Sequence, residues 1–162
     1  MYIKSILNIQ KTQRLKKNIC KVSECDMLEI EMVKDCYAYM EQKQEYKRVA
    51  CEIPFLSRCI DMVLVSKKDE MITIEFKLEK WRAAIEQALD HKQGADYAYI
   101  CIPKRNPSSQ LINAVQEAGI GLLFYDAEGE EKVQEYLPAP KSDTAIPFFR
   151  SELMEMTERL VV

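Results

Sequence analysis

The feature that most constrains this chain is a pair of apolar runs separated by a short polar segment. The runs cover residues 60–65 and 71–77, and five mostly charged residues lie between them. Two runs of this composition and separation predict a β-hairpin. A turn centred on the middle of the polar segment pairs Val65 with Met71. That register fixes which face of the sheet every other side chain of the hairpin occupies.

The predicted register places Asp61 directly opposite Glu75. Cross-strand partners share a face of the sheet and side chains alternate along a strand, so Lys77 lies on that face too. The apolar side chains of the second strand point to the other face, where a core is expected: Ile72, Ile74 and Phe76. The hairpin therefore gathers two carboxylates and one lysine on one side.

Two carboxylates beside a lysine have a specific chemistry. The acids repel each other, which raises a pKa unless a cation lies between them. Mg²⁺ is commonly held by one or two carboxylates, a carbonyl, waters and a phosphate. A neighbouring lysine can orient or deprotonate an attacking water, or offset charge on a phosphate. The ordinary alternative is a Lys–Glu pair on a solvated sheet face, with Asp61 in a strand-end turn.

The order of these residues resembles the PD-(D/E)xK nuclease superfamily. Asp61 corresponds to the family's first acid, although Ile60 replaces the proline that usually precedes it, and residues 75–77 correspond to the (D/E)xK triplet. The segments RCIDMVLV, ITIEFKLEKW, EQALDH and ADYAYICIP also resemble small stand-alone members of the superfamily. The similarity covers residues 23–137, which is most of the chain.

The resemblance implies an α/β, restriction-endonuclease-like fold with a mixed β-sheet flanked by helices. It also implies a metal-dependent nuclease, most simply a DNA endonuclease that uses Mg²⁺ or Mn²⁺ and leaves a 5′-phosphate and a 3′-hydroxyl. Asp61, Glu75 and the carbonyl of Phe76 would hold the metal, and Lys77 would position and activate the water. Two other interpretations stay open. One is a non-catalytic nucleic-acid-binding or assembly subunit of a repair, recombination or defence system, and the other is an accidental E-x-K triplet.

Residues 23–40 are predicted to form an amphipathic helix with Ser23 as its N-cap. The family often places a metal-facing glutamate near the start of such a helix, so Glu24 is the candidate metal ligand and Glu31 the second choice. Both are otherwise solvated acids that favour a helix N-terminus. Glu52, in the strand before the motif aspartate, either faces the site or marks the solvent side of an edge strand.

The next predicted helix, residues 80–91, carries Gln87, a candidate catalytic residue that would steady Lys77 or the scissile phosphate. Its apolar stripe should pack on the sheet: Trp81, Ala84, Ile85, Ala88 and Leu89. Gln87 borders that stripe together with Lys80 and His91. Some branches of the superfamily have a tyrosine four residues after such a glutamine, and His91 occupies that position here. It is the only histidine, which excludes a two-histidine site.

Positive charge supplies candidate contacts to nucleic acid. Lys80 and Trp81 begin the glutamine-bearing helix, and Lys104 with Arg105 forms a basic turn after a strand, although a solvated turn is equally ordinary. Residues 1–22 contain six basic residues and no acid. This segment is consistent with phosphate contact, with a solvated helix, or superficially with an organelle transit peptide. The net charge of −3 does not itself indicate nucleic-acid binding.

The remainder of the chain completes an α/β alternation. Buried strands are predicted at residues 96–102 and 120–125, with a helix between them that ends at Gly119 and a last strand at 132–137. Three parts are therefore expected: a basic segment (1–22), a nuclease-like domain (23–137), and a linker with a C-terminal helix (138–162). The apolar residues of that last helix either dock back or bind a second copy.

Composition predicts a soluble, cytoplasmic protein with one core. Of the 162 residues, 48% are hydrophobic, and no apolar run reaches the ~20 residues that span a bilayer. The start lacks the apolar region of a secretory signal. Six cysteines form no CxxC pair and are interpreted as buried free thiols in a reducing cytosol. DNA, or RNA, is the expected partner, and a double-strand break would need a homodimer or a partner subunit.

Overall fold

The computed structural model describes residues 24–160, with side chains from residue 28 onward, so the basic segment 1–22 lies outside the described residues. The elements of the described range follow in chain order: α1 (Glu24–Lys43), β1 (Tyr46–Phe55), β2 (Arg58–Ser66), β3 (Met71–Phe76), α2 (Trp81–His91), β4 (Tyr97–Pro103), α3 (Ser109–Ala118), β5 (Gly121–Tyr125), β6 (Val133–Leu137) and α4 (Pro147–Arg159).

The six strands form one mixed sheet in the order β1-β2-β3-β4-β5-β6. Strands β1, β2 and β3 are antiparallel, as are β5 and β6, whereas β3, β4 and β5 run parallel. The two parallel connections pass through α2 and α3, because parallel neighbours require a crossover. The predicted α/β architecture, a mixed sheet flanked by helices, is confirmed and is consistent with a restriction-endonuclease-like fold.

The register of the β2–β3 hairpin is the predicted one, with Val65 paired with Met71. Its turn is stabilised by Ser66, whose hydroxyl oxygen accepts hydrogen bonds from the N–H groups of Lys68 (3.2 Å) and Glu70 (3.1 Å). The Ser66 N–H also donates to the Glu70 carbonyl at 2.9 Å. The Ser66 hydroxyl thus satisfies two N–H groups of the turn. A turn held in this way helps to fix the register of the two strands.

Helices cover both faces of the sheet. On one face α1 buries Met32, Cys36 and Met40 against Met62, Leu64, Ile74 and Phe76. On the other face α2 and α3 pack over β4 and β5, and α4 packs over the β1–β2–β3 hairpins. Strand β3 is consequently buried on both sides, with Thr73 and Ile74 almost inaccessible to solvent. A charged side chain on β3 is therefore placed in an environment of low dielectric constant.

The C-terminal helix docks back on the sheet, one of the two outcomes expected for its apolar residues. Leu153 of α4 is fully buried in the cluster that contains Val63 and Val65. Phe149 packs edge-to-face on Phe55, with ring centroids 6.0 Å apart. The segment before α4 is hydrogen-bonded to the loop that precedes β4, through the N–H groups of residues 142 and 146. It therefore straps the helix to the domain.

Arg150 secures this docking, and its removal should be costly. Its guanidinium bonds the Asp96 carboxylate at 3.0 Å, and Asp96 is only 7% exposed. We expect Arg150→Ala to lower the free energy of unfolding by about 1–3 kcal/mol, measured by urea denaturation, because a buried carboxylate loses its charged partner. The matched control is Arg159→Ala, which breaks an exposed pair with Glu155 and should cost below about 0.5 kcal/mol. Equal losses in both variants would contradict the assignment.

Helix α2 presents a face that differs from the predicted stripe. Ala84, Ile85 and Ala88 are buried as expected, but Leu89 is 42% exposed and His91 is 1% exposed. Ala84, Ala88 and His91 are spaced by four and three residues and lie on the side of the helix that faces the sheet. Leu89 lies on the opposite, solvent-facing side. Neither ring nitrogen of His91 has a hydrogen-bond partner in the described part of the chain.

The burial of His91 predicts acid sensitivity. Burial lowers the pKa of His91 to about 4 from its usual 6.5, although the charge of Asp90 opposes the shift. The folded state therefore binds this proton less readily, so its contribution to stability is complete above pH 6.5 and is lost as the pH falls towards 4. The loss should approach about 1.4 kcal/mol per pH unit, and His91→Leu should abolish it in denaturation curves at pH 7, 6 and 5. Parallel pH profiles of the two proteins would refute this.

Two further observations bear on the composition. No helix in residues 24–160 is long and apolar enough to cross a membrane. Among the cysteines with described side chains, Cys36 and Cys101 are buried free thiols as expected, whereas Cys51 is half-buried and Cys59 is exposed. Cys59 lies at the start of β2, beside the tight β1–β2 turn, where its side chain is exposed.

Candidate functional site

The β2–β3 hairpin brings Asp61, Glu75 and Lys77 together at the C-terminal end of β3. The ladder runs from Val65–Met71 to Met62–Ile74, and one further step along this register reaches Asp61 and Glu75. The Asp61 carboxylate accepts a hydrogen bond from the backbone N–H of Phe76 at 2.8 Å. Lys77 Nζ lies 3.7 Å from a carboxylate oxygen of Glu75. The juxtaposition predicted for the three side chains is present.

Glu75 is buried, which excludes the ordinary alternative of a Lys–Glu pair on a solvated face. The residue is 1% exposed. Its Oε2 atom has no hydrogen-bond partner among the described residues. Such a buried oxygen costs free energy unless one of the two carboxyl groups takes up a proton, so this site is not arranged for stability alone.

The electrostatics of the pair follow from this burial. Burial, and then the negative charge of Asp61, raises the pKa of Glu75 to about 8 from its usual 4.5. Burial also raises the pKa of Asp61, while the hydrogen bond from the Phe76 N–H opposes that rise. Ionising two neighbouring carboxyl groups in a mostly buried site is unfavourable, because each charge loses hydration and repels the other. Near neutral pH the pair therefore retains a proton. A cation at the site would displace that proton.

Lys77 lies between acids from two different elements. Its ammonium is 3.7 Å from Glu75 on β3 and 3.4 Å from Glu29 on α1. Burial alone would lower the pKa of Lys77, but the charges of Asp61, Glu29 and Glu75 outweigh it and raise the pKa above its usual value. Lys77 is therefore an ammonium group throughout the physiological range, a hydrogen-bond donor and a source of positive charge.

Glu29 is the residue of α1 that reaches the site, and the sequence analysis did not select it. The second choice, Glu31, is exposed, and the side chain of the first choice, Glu24, lies outside the described residues. Glu29 precedes Met32 by three residues and Cys36 by seven, so it continues the buried stripe of α1. Glu31 falls about 200° further round the helix, on the solvent side. The helical spacing from the apolar stripe is the signal that would have found Glu29.

The oxygen donors of this site form a small set. No group of three or more His, Cys, Asp or Glu side chains in the described part of the chain is already arranged to hold a metal ion. Asp61 and Glu75 provide two carboxyl groups, one with an oxygen that has no partner among the described residues, and Phe76 supplies the next backbone carbonyl along the chain. Such a set fits a hard divalent cation, which takes one or two carboxylates and completes its shell with water and phosphate.

The other predicted residues with described side chains make no hydrogen bond or ion pair with Asp61, Glu75 or Lys77. Gln87 is half-buried on α2, and no hydrogen bond joins it to Lys77 in the described structure. Lys80 is exposed just before α2, and Trp81 is half-buried with the Arg82 guanidinium 4.1 Å from its ring. Glu52 is exposed, with a left-handed backbone (φ 54°), so its side chain faces solvent.

The basic turn after β4 is only partly available for binding. Arg105 is exposed. Lys104 already pairs with Asp126 at 2.9 Å, across the neighbouring ends of β4 and β5. The Lys104 ammonium is thus already engaged with Asp126 in an exposed pair, and Arg105 is the stronger candidate of the two for contact with an anion.

Comparisons with known proteins bear on the fold. No protein-family profile and no curated protein sequence matches the chain. The protein of unknown function SPO1766 from Silicibacter pomeroyi superposes with a TM-score of 0.60 and 16% identity, over 80% of this chain and 83% of that one. A repair endonuclease from Pyrococcus abyssi gives a TM-score of 0.43 and 17% identity, over 65% of this chain and 47% of that one.

A third solved structure, SfsA from Pyrococcus furiosus in complex with Ca²⁺, gives a TM-score of 0.35 and 12% identity, over 70% of this chain and 61% of that one. The likeness to SPO1766 shows a shared fold. The two weaker superpositions carry no functional argument, because sites vary widely on one scaffold.

Proposed function

We propose that this protein is a Mg²⁺-dependent nuclease of the PD-(D/E)xK type, most simply a DNA endonuclease. The observation that carries the proposal is the buried carboxyl group of Glu75, whose Oε1 lies 3.7 Å from the Lys77 ammonium and whose Oε2 has no hydrogen-bond partner among the described residues. A buried acid with a strongly raised pKa beside a second acid and a lysine is a costly arrangement for a purely structural sheet. Metal binding would relieve that cost.

Asp61, Glu75 and the carbonyl of Phe76 are the residues that would hold the ion, with Mn²⁺ as a substitute. When bound, Mg²⁺ would polarise the scissile phosphate and lower the pKa of a coordinated water. Lys77, as an ammonium group, would donate hydrogen bonds to the water or to a phosphate oxygen and offset the negative charge that builds there. Its raised pKa favours this electrostatic role over that of a general base.

The polymer would be held by groups around this end of the sheet. Lys80 and Arg105 are exposed cations, and a base could stack on the half-buried Trp81 ring by displacing the Arg82 guanidinium that covers it. Lys104 would contribute by leaving Asp126. Gln87, on the helix that follows the triplet, would steady the phosphate. The substrate of this proposal is DNA, with RNA as the second possibility for the same groups.

The test is cleavage by the purified protein of supercoiled plasmid, single-stranded DNA and a branched junction. Cleavage with Mg²⁺ or Mn²⁺ that stops in EDTA would support the nuclease and rank its substrates. One site cuts one strand, so a monomer should nick plasmid before it linearises it. Failure to cut any substrate with either metal would overturn the assignment of this protein as a nuclease. Binding to the same DNA without cleavage would then favour the non-catalytic nucleic-acid-binding or assembly subunit.

A further inference from the structure

We propose that Glu29 is a positioning residue, which ties Lys77 and the backbone after β3 to helix α1. The inference rests on the proposed function, since it concerns the same lysine. It differs from the role predicted for Glu24 or Glu31, because Glu29 is assigned no contact with the metal or the substrate.

The two oxygens of Glu29 bind two consecutive residues. One oxygen accepts a hydrogen bond from the backbone N–H of Leu78 at 3.1 Å. The other lies 3.4 Å from Lys77 Nζ. A carboxylate that bridges a side chain and the next backbone amide fixes both the direction of the lysine and the path of the chain.

The backbone at this point needs such a support. The N–H of Lys77 donates to the Cys101 carbonyl at 3.1 Å, which is the last contact of β3 with the parallel strand β4. Beyond it, the chain leaves the sheet and crosses to α2. The Leu78 N–H has no strand to pair with, and Glu29 is the group that accepts its hydrogen bond. Helix α1 therefore anchors the crossover at its first residue after the triplet.

The position of the lysine depends on the same contact. A lysine has a long flexible stem, and with Glu75 as its remaining partner the ammonium would lose one of the two acids between which it is held. The side chains of Lys77 and Glu29 are 22% and 25% exposed, so solvent screens their pair less than it screens a surface pair. A small displacement of a charge-stabilising group is expensive in catalysis.

The test compares Glu29→Gln and Glu29→Ala, with Glu31→Gln as the control on the exposed side of the same helix. Glutamine keeps an oxygen for the Leu78 N–H but loses the charge, and alanine loses both. We expect kcat to fall about 10- to 100-fold in both Glu29 variants, with the half-maximal Mg²⁺ concentration unchanged. A several-fold rise in that concentration would indicate that Glu29 is a metal ligand. An unchanged kcat would show that Glu29 does not position Lys77 for catalysis. Either result overturns the proposal.

A second readout needs neither substrate nor metal. Hydrogen–deuterium exchange of the Leu78 amide should be slow in the wild type and in Glu29→Gln, and fast in Glu29→Ala. Equal protection in all three proteins would overturn the tether. If the wild type cuts no nucleic acid, the proposed function fails, and the tether is decided by the exchange of this amide alone.

Discussion

In the proposed nuclease, replacing Lys77 by alanine is expected to reduce metal-dependent cleavage by about 10²–10³-fold or more, because the ammonium would stabilise charge that develops only as the phosphodiester reacts. Lys77 Nζ is placed for this by Glu75 and Glu29, at 3.7 Å and 3.4 Å. The rate of nicking of supercoiled plasmid at saturating Mg²⁺ measures the effect. Circular dichroism should show an unchanged fold, because Glu75 can take up a proton when the Lys77 ammonium is removed.

The matched control for this variant is Lys67→Ala. Lys67 is exposed in the turn at the opposite end of the same hairpin. It shares the charge and length of Lys77 but not its position, so any loss of general positive charge would appear in both variants. Full turnover by Lys77→Ala, with both proteins folded, would show that the triplet does not form the active site.

The second large effect is a gain in stability when Glu75 is replaced by glutamine. The pKa of Glu75 is raised to about 8 in the folded state, from 4.5. Folding therefore takes up a proton between these values, and the cost of burying the charge is absent below pH 4.5 and complete above pH 8. We expect Glu75→Gln to raise the free energy of unfolding by about 1–3 kcal/mol at pH 8.5, and by little at pH 4.5. Urea denaturation in EDTA measures both.

Metal linkage gives the same variant a second signature. A cation that bound the folded state through Glu75 would stabilise the wild type by an amount that grows with the logarithm of its concentration, and should not stabilise Glu75→Gln to the same extent. Glu31→Gln, an exposed substitution on α1, serves as the control and should change stability by below about 0.5 kcal/mol. A Glu75→Gln protein that is less stable at pH 8.5, or that gains as much from Mg²⁺ as the wild type, would refute this account of the site.

These two variants separate activity from stability. Lys77→Ala tests the chemistry of the site, and Glu75→Gln tests whether that site is maintained at a cost to the fold. Loss of cleavage in Lys77→Ala together with a gain in stability in Glu75→Gln would follow the pattern of functional sites, where strain is retained because the reaction needs it. If the Glu75–Lys77 pair were purely structural, Glu75→Gln would lower the stability of the protein instead.

Much of this molecule follows from local patterns. The register that pairs Val65 with Met71 could be predicted because side chains alternate with a period of two, and a slip by one residue would expose the whole apolar set. The same alternation brings Asp61 beside Glu75. The order of helices and strands and the cap at Ser108, which accepts from the Leu111 N–H, also depend on neighbours a few residues apart.

Other features depend on how the elements are set against one another. Glu29 reaches Lys77 because α1 crosses the sheet near the end of β3. His91 is buried, and Leu89 exposed, because of the rotation of α2 on the sheet. Glu75 loses its solvent because helices cover both faces of β3. The period of a helix or strand predicts which side chains share a face, but the depth, rotation and tilt at which that face meets its neighbours are set by long-range packing, and these alone determine which charges become buried.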